Sequence, residues 1–220
     1  MNYRETVRIG RTLGARLAGF RALHPLILAL PPGGVPIARV LAHCLSGDLD
    51  FVQAEAVVAD SYRGAVAETG EVVLSSGGDG GERSEELFAG RIVAEMSRMV
   101  ERRFRHIPEA SFPDVTGRVV IVVADGLASG ARMRAALTSL RDRGATRLVA
   151  AAAAGTDRSV EAVRPLADET ICLSIHPSIA GVGRALRGWR HVPEDEAFRM
   201  LRKEFRTQES ALAYADSSGR

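Results

Sequence analysis

The chain has 220 residues, of which 46% are hydrophobic and 25% are charged, and its formal net charge at pH 7 is only +2. This is the composition of an ordinary globular protein, and so balanced a charge gives no electrostatic reason to expect a nucleic-acid partner. No run approaches the roughly 18 apolar residues of a membrane helix, and the N-terminal MNYRETVRIG lacks the apolar core of a secretory signal. The sequence therefore predicts a cytoplasmic protein that does not bind membranes.

The length predicts one α/β domain over residues 1–220, with residues 207–220 as a disordered tail. The two cysteines, Cys44 and Cys172, lie apart in apolar surroundings and are predicted to be small core residues. The five histidines are scattered as well. No side-chain cluster for a metal ion is therefore expected.

The first part of the chain predicts a helix, a strand, a glycine turn and a second helix. Residues 4–23 carry apolar side chains at helical spacing, and Leu26–Leu30 is a short apolar run typical of a strand. The strand leads into Gly33-Gly34, after which Ile37–Leu45 has a helical pattern. Taken alone, this turn needs glycine only for its backbone conformation.

The middle of the chain predicts a strand, a hairpin and a long helix. Leu49–Val58 is expected to be one strand, and Ala65–Ala67 with Glu71–Leu74 to form a hairpin. Ser75–Gly81 (SSGGDGG) is either a mobile lid over a site or a simple connector. The long helix is expected over Glu82–Arg105. Its predicted buried face comprises Leu87, Ile92, Val93, Met96, Val100 and Phe104.

A strand, a loop of small residues and a helix follow at the centre of the sequence. Val119–Val123 is a β-branched run typical of a strand that is buried on both faces. The loop after it, Asp125–Ala131, leads into a helix that ends near Gly144. Backbone N–H groups at such a turn, together with the positive end of the helix dipole, favour an anion, and Ser129 adds a hydroxyl. Asp125 can accept hydrogen bonds from sugar hydroxyls.

The remainder repeats the alternation of strands and helices. Arg147–Ala154 and Thr170–Ile175 predict strands, with Asp157 as the N-cap of the helix between them. Glu194–Phe205 predicts a closing amphipathic helix. The alternation predicts an α/β fold with a parallel twisted sheet covered by helices on both faces.

The central segment VVADGLASGARMRAAL resembles the phosphoribosyl-diphosphate (PRPP) signature of type I phosphoribosyltransferases. The resemblance implies transfer of a phosphoribosyl group from Mg²⁺-bound PRPP to a nitrogenous base, with Asp125 as a catalytic residue that also helps to hold the metal. It further implies that a loop binds the ribose 5′-phosphate. That loop comprises Asp125, Gly126, Leu127, Ala128, Ser129, Gly130 and Ala131.

Two further stretches are similar to the same family. LALPPGGVPIARVLA resembles the early loop that contacts pyrophosphate, here Pro32, Gly33 and Gly34, and more narrowly a bacterial subgroup that has Arg in place of Pro32. The backbone N–H groups of both glycines are expected to remain available as donors. The segment before Pro193 resembles the subgroup's C-terminal tail, a hood in which Trp189 either stacks on a base or anchors the tail.

The resemblance is incomplete on the side of the pyrophosphate. Ala124 replaces the first of two acidic residues, Pro32 replaces Arg, and Glu55-Ala56 replaces an Arg-Lys pair. Arg63, near the hairpin, or Arg132 is a candidate to supply a missing cation. Two functions stay open: a transferase with unusual contacts, or a non-catalytic regulator or partner subunit that binds a nucleotide or sugar phosphate. A homodimer also stays open.

Overall fold

A five-stranded parallel sheet forms the centre of the protein in the computed structural model, which describes residues 3–76, 81–107, 112–187 and 192–205. In spatial order its strands are β2 (Asp48–Phe51), β1 (Leu26–Ala29), β6 (Val119–Leu127), β7 (Arg147–Thr156) and β8 (Glu169–His176). The helices associated with it are α1 (Tyr3–Arg16), α2 (Gly34–Leu45), α4 (Ala131–Asp142), α5 (Asp157–Val163) and α6 (Ile179–Arg187), and residues 194–205 are also helical.

Apolar residues on both faces of the central strands explain why helices cover the sheet on both sides. On one face Val120 and Val122 pack in one core cluster with Leu137 of α4, and on the other Ile121 packs with Leu41 of α2. The expected α/β fold, a parallel sheet covered on both faces, is confirmed. None of the helices in the described ranges combines the length and the apolar character that a membrane crossing requires.

A second, antiparallel sheet stands between two helices. It consists of β3 (Ala54–Ala59), β4 (Tyr62–Ala67) and β5 (Val72–Ser76), and α3 (Gly81–His106) follows it in the chain. One face carries Ala65 in the same core cluster as α4, and the opposite face carries Val66 in a cluster with Phe88 of α3. The antiparallel sheet is therefore packed between α4 and α3.

The prediction of a single strand over Leu49–Val58 is wrong. The chain leaves the parallel sheet after Phe51 and enters the antiparallel sheet at Ala54, the first residue of β3. Between them, Gln53 is buried and its side chain donates to Glu68 Oε2 (2.9 Å) and to the Met99 carbonyl (2.8 Å). A buried amide with these partners fixes the chain at the crossing between the two sheets.

The buried face of α3 also differs from the prediction. Arg103 lies in it, 3% exposed, because its guanidinium donates to both carboxylate oxygens of Glu68 (3.0 and 2.6 Å) and stacks 4.0 Å above the Phe51 ring. Ile92 and Met96 pack partly against this face as predicted. Four of the residues expected there are exposed instead: Leu87 (52%), Val93 (63%), Val100 (40%) and Phe104 (59%). Helical spacing alone could not identify a buried arginine.

Two smaller expectations differ as well. The N-cap of α5 is Thr156 and not Asp157: the Thr156 hydroxyl accepts from the Ser159 N–H (3.1 Å), and the Ser159 hydroxyl accepts from the Thr156 N–H (2.9 Å). This capping box satisfies donors that the helix itself leaves unpaired. Cys44 and Cys172 are partly buried and do not lie fully in the core.

The carboxyl group of Asp50 gives the fold a predicted pH dependence. Burial raises the pKa of Asp50 to about 6, against the opposing hydrogen bond from the Phe51 N–H and the nearby Arg103 charge. Because folding disfavours the Asp50 carboxylate, the contribution of this group to stability is fully present below its unfolded pKa of 3.8 and is lost as pH rises through about 6. We expect Asp50→Asn to raise the free energy of unfolding at pH 7.5 by about 1–3 kcal/mol and to have little effect near pH 4.

Urea titrations of the wild type and Asp50→Asn at several pH values measure this effect. Asp48→Asn is the matched control, since Asp48 lies two positions earlier on the same strand, is exposed and pairs with Arg118 at the surface. An exposed ion pair contributes at most about 1 kcal/mol. A gain in stability that is independent of pH would contradict the assignment to Asp50.

Candidate functional site

The loop after β6 joins a buried strand to the N-terminus of α4. β6 extends beyond the predicted Val123 and pairs with β7 as far as Leu127, opposite Gly155. Gly130 then adopts a left-handed conformation (φ 75°) immediately before the first residue of α4. A Cβ there would lie 2.9 Å from the Ser159 carbonyl oxygen, so close packing as well as backbone conformation requires glycine.

The same loop is held on one side by α5, and two of its residues are exposed to solvent. The Ser159 hydroxyl donates to the Leu127 carbonyl (2.8 Å), which attaches the loop to α5. Ala128 and Ser129 are exposed, and the Ala131 N–H donates to the Ser129 hydroxyl (3.3 Å). The first turn of α4, a helix of 12 residues, thus presents N–H groups and a hydroxyl at the positive end of its dipole.

The glycine turn between β1 and α2 lies directly against the end of β6. The Leu30 N–H donates to the Val123 carbonyl (2.9 Å), and a Cβ on Gly34 would lie 2.2 Å from the same oxygen. A Cβ on Gly33 would lie 1.9 Å from Asp125 Oδ2. The two predicted loops therefore meet at the contact between Gly33 and the Asp125 carboxylate.

Asp125 itself is partly buried and oriented by its own strand end. Its Oδ1 accepts from the N–H of Gly126 (2.9 Å), so that its Oδ2 lies toward Gly33. Ala124, where the resemblance expects an acid, extends to the other face of the sheet and is 5% exposed in the core. Of the two positions, Asp125 alone carries an acid, and it lies beside the glycine turn.

Part of the predicted hood lies over this edge of the sheet. A Cβ on Gly126 would lie 2.7 Å from Leu186 Cδ1 and 3.3 Å from Val182 Cγ1, both on α6. Trp189 lies outside the described residues, as do Gly77–Gly80 of the predicted lid and the tail at 207–220. α6 therefore limits the space above Gly126.

Arg132 links three parts of the site. From the first turn of α4 its guanidinium donates to the carbonyls of Pro31 (2.6 Å) and Ala54 (2.5 Å). Its Nε also lies 3.8 Å from a carboxylate oxygen of Glu55. The positive charge therefore lies beside the Pro31-Pro32 peptide, which is cis.

Glu55 has cationic neighbours even though the expected basic pair is missing. Arg102 of α3 donates to Glu55 Oε1 (2.6 Å) and lies 3.2 Å from Glu194, which begins the C-terminal helix. Arg102 was not a candidate from the sequence, where it is one of several basic residues at the end of a helix. Ala56, next on β3, is exposed.

The other predicted donors are less favourably placed. The Gly34 N–H already donates to the Leu30 carbonyl (3.0 Å), so the expectation that both glycines remain available is wrong for this one. Pro32 has no N–H, which leaves Gly33 as the backbone donor of this turn. Arg63 is exposed on the hairpin, and no hydrogen bond or ion pair joins it to either loop within the described ranges.

Mg²⁺ would have to be held largely by a substrate. No group of three or more His, Cys, Asp or Glu side chains suited to a metal occurs among the described residues. One carboxylate, that of Asp125, lies at the loop edge. Mg²⁺ is commonly bound by one or two carboxylates together with phosphate oxygens of the substrate, so this donor set fits a metal that arrives with a diphosphate.

Two curated proteins with the same description are similar in sequence to this chain. Two curated proteins from Mycobacterium tuberculosis, "Putative phosphoribosyl transferase Rv0571c" and "Putative phosphoribosyl transferase MT0597", are each 32% identical over 211 residues, or 90% of this chain. The match covers 46% of either relative, so the chain spans about half the length of the curated proteins it matches.

Solved structures show the same architecture. TT1426 from Thermus thermophilus superposes with a TM-score of 0.72 at 29% identity, covering 91% of this chain and 98% of that one. The purine phosphoribosyltransferase from Pyrococcus horikoshii superposes with a TM-score of 0.50 at 12% identity, covering 81% and 87%, and shows a shared fold. Residues 9–185, which include both loops and Asp125, match the phosphoribosyl transferase domain, and the chain belongs to that family.

Proposed function

We propose that this protein binds PRPP at the edge of the sheet where Asp125 meets Gly33 and transfers its phosphoribosyl group to a nitrogenous base. The observation that carries the proposal is the contact between the two loops. It places a glycine turn against one carboxylate, and that carboxylate lies six residues before the first residue of α4. Each of these groups suits a different part of PRPP.

The 5′-phosphate would bind at the start of α4. Exposed Ala128 and Ser129 let a ligand approach the N–H groups of the first turn, and the helix dipole favours an anion there. Gly130 keeps the backbone close to Ser159 and leaves no side chain in the way. This part of the site needs no cationic side chain, because backbone donors at a helix N-terminus commonly bind phosphate.

The ribose and the leaving group would lie between Asp125 and the glycine turn. Asp125 accepts hydrogen bonds from ribose hydroxyls, and the Gly33 N–H donates to the diphosphate. When bound with PRPP, Mg²⁺ neutralises the charge of the diphosphate. In the reaction a base nitrogen forms a bond to C1′ while the bond from C1′ to the diphosphate oxygen breaks, and that electron pair leaves with pyrophosphate. Arg132, beside Pro31, adds positive charge on this side.

Calorimetric titration with PRPP and Mg²⁺, ribose 5-phosphate and nucleoside monophosphates tests the proposal, followed by a screen of bases for pyrophosphate release. We expect Ala128→Asp to weaken binding of every phosphorylated ligand by at least about tenfold. The new carboxylate lies beside the N-terminus of α4, where it repels the phosphate group. Ala89→Asp is the matched control, since Ala89 is exposed on α3. Absence of binding by the wild type would overturn the proposed site.

A second function is favoured by one observation, the position of Glu55 between two arginines. Arg102 lies 2.6 Å and Arg132 3.8 Å from the Glu55 carboxylate. The carboxylate therefore neutralises positive charge that would otherwise attract a diphosphate. A site so neutralised suits a monophosphate better than PRPP. The protein would then bind a nucleotide or sugar phosphate without transferring it, as a regulator or partner subunit.

Replacing Glu55 by glutamine is expected to separate these two functions. The change removes one negative charge and keeps the shape of the side chain, so PRPP affinity should rise about 3- to 30-fold while ribose 5-phosphate affinity changes less than about twofold. Titration with both ligands measures the ratio. Glu71→Gln on the turn before β5 is the control. Equal gains for both ligands would mean that Glu55 does not act on the diphosphate.

A further inference from the structure

Arg102 of α3 is shared between two acidic residues from different parts of the chain. Its Nη1 donates to Glu55 Oε1 (2.6 Å), and its Nε lies 3.2 Å from Glu194 Oε1, where the C-terminal helix begins. The Arg102 side chain is 16% exposed, so water and salt screen these contacts less than they screen a surface pair. The guanidinium is therefore held between two carboxylates at a defined position beside β3.

The C-terminal helix fixes the second of these carboxylates against α3. Phe198, about one turn after Glu194, is fully buried, and the ring of His106 at the end of α3 stacks on it with the ring centres 4.6 Å apart. About one turn further on, Arg202 donates to the His106 carbonyl (2.9 Å). Because these contacts attach the helix to α3, Glu194 stays close to Arg102 and keeps its guanidinium in place.

Arg132 is fixed independently of Glu55, and one side of its guanidinium remains unused. Its Nε and Nη2 donate to main-chain carbonyls, those of Ala54 (2.5 Å) and Pro31 (2.6 Å). Its Nη1 has no acceptor within the described part of the chain, and 34% of the side chain is exposed. Arg132 therefore presents N–H donors beside the glycine turn, on the side where the proposed diphosphate would bind.

Glu55 lies between the two arginines but accepts a hydrogen bond from one of them. Its Oε1 accepts from Arg102 at 2.6 Å, whereas its Oε2 is 3.8 Å from Arg132 Nε, beyond the range of a hydrogen bond. A partly buried carboxylate needs a hydrogen-bond donor or a cation as its partner. If Arg102 were removed, Arg132 would be the remaining cation within 4 Å of Glu55, and the carboxylate would turn toward the Nη1 of Arg132.

We infer that Arg102 is a positioning residue for the diphosphate of the ligand, an inference that rests on the proposed function. Arg102 holds the Glu55 carboxylate away from Arg132, so that the N–H donors of Arg132 stay available to the diphosphate. Arg102 itself stays between Glu55 and Glu194 and does not contact the ligand. It thereby sets the preference for a diphosphate over a monophosphate, since the proposed 5′-phosphate site uses backbone donors at the start of α4.

Calorimetric titration of Arg102→Gln with Mg²⁺ and PRPP, and with ribose 5-phosphate, tests this role. We expect the affinity for PRPP to fall about 3- to 30-fold, because Glu55 then pairs with Arg132, while the affinity for ribose 5-phosphate changes less than about twofold. Arg102→Lys should recover part of the loss, since its ammonium group still attracts Glu55. Thermal unfolding verifies that each variant is folded.

Arg98→Gln is the matched control for the loss of a positive charge from α3. Arg98 lies about one turn before Arg102 on the same helix, and its exposed side chain pairs with Glu95. The substitution therefore removes the same charge without affecting Glu55. We expect it to leave the affinities for PRPP and for ribose 5-phosphate unchanged.

A double variant shows whether Arg102 acts through Glu55. Glu55→Gln removes the carboxylate that Arg102 holds, so adding Arg102→Gln to it should lower the affinity for PRPP by less than about twofold. An equal loss with and without the Glu55 carboxylate would overturn the inference, because Arg102 would then contact the diphosphate directly. Equal losses for PRPP and ribose 5-phosphate would overturn it as well, since they would indicate a role in the fold alone.

The behaviour of the wild type separates this inference from the proposed function. If the wild type binds PRPP and Arg102→Gln binds it as tightly, the proposed site stands and the positioning role of Arg102 is wrong. If the wild type binds neither PRPP nor ribose 5-phosphate, the proposed function is wrong and the inference fails with it.

Discussion

Replacing Gly33 by alanine is expected to weaken binding of PRPP by about 10- to 100-fold without unfolding the protein. Gly33 has φ −70° and ψ −29°, a conformation that alanine adopts without strain. Its new methyl group, however, would lie 1.9 Å from Asp125 Oδ2. The carboxylate must rotate away, and with it the group that we propose to hold the ribose. Titration calorimetry measures the affinity, and thermal unfolding verifies the fold.

Two other glycines serve as comparisons for this result. Gly19→Ala is the control, because a Cβ at Gly19 meets nothing within 4 Å, and no effect on binding is expected. Gly34→Ala should act differently, since its Cβ would lie 2.2 Å from the main-chain oxygen of Val123, which cannot rotate away. Its main effect should be lower stability. If Gly33→Ala bound PRPP as tightly as Gly19→Ala, Asp125 would not be part of the binding site.

Replacing Glu68 by alanine is expected to lower the free energy of unfolding by about 3–5 kcal/mol, which is a large part of the stability of a small domain. Glu68 is 4% exposed, and both of its carboxylate oxygens accept from the buried guanidinium of Arg103. It also accepts from the backbone and side-chain amides of Gln53. Without Glu68, the buried guanidinium of Arg103 and the two amide donors of Gln53 lose this acceptor. Urea unfolding at pH 7.5 measures the change.

Glu95→Ala is the control for that experiment, because Glu95 pairs with the exposed Arg98 on the same helix. Exposed pairs of this kind contribute less than about 1 kcal/mol. The double variant Glu68→Leu with Arg103→Met should recover part of the loss, since it removes both charges and fills the space with apolar groups. Equal losses for Glu68→Ala and Glu95→Ala would mean that the buried pair contributes no more than a surface pair.

The sequence predicts the central elements because their signals are local. A β-branched run marks β6, and glycines mark both loops. The order of strands and helices then requires the carboxyl ends of the parallel strands to lie along one edge. β1 and β6 are neighbours in the sheet, so the turns that follow them come together. Such features need no information about distant side chains.

The contacts of Arg132 and Arg103 could not be predicted because their partners are distant in the sequence. Arg132 bonds to Pro31, 101 residues away, and Arg103 to Glu68, 35 residues away. Without knowledge of Glu68 an arginine in a helix is expected at the surface, so helical spacing alone predicts the wrong buried face for α3. Similarly, the Ser159 side chain that completes the cap of α5 has no distinctive signal in the sequence.

The close approach of the two loops through main-chain atoms has a consequence for how this fold can change its chemistry. Gly34 packs against the Val123 carbonyl, and Leu30 bonds to that same oxygen. The contact between the two loops is thus set by backbone and glycine. The side chains that decide the charge beside it stand at separate positions: Glu55 is acidic, whereas Ala124 and Pro32 are uncharged. The residues at these positions can therefore be exchanged one at a time without losing the contact between the loops, and a designer can use this to give the scaffold a new ligand.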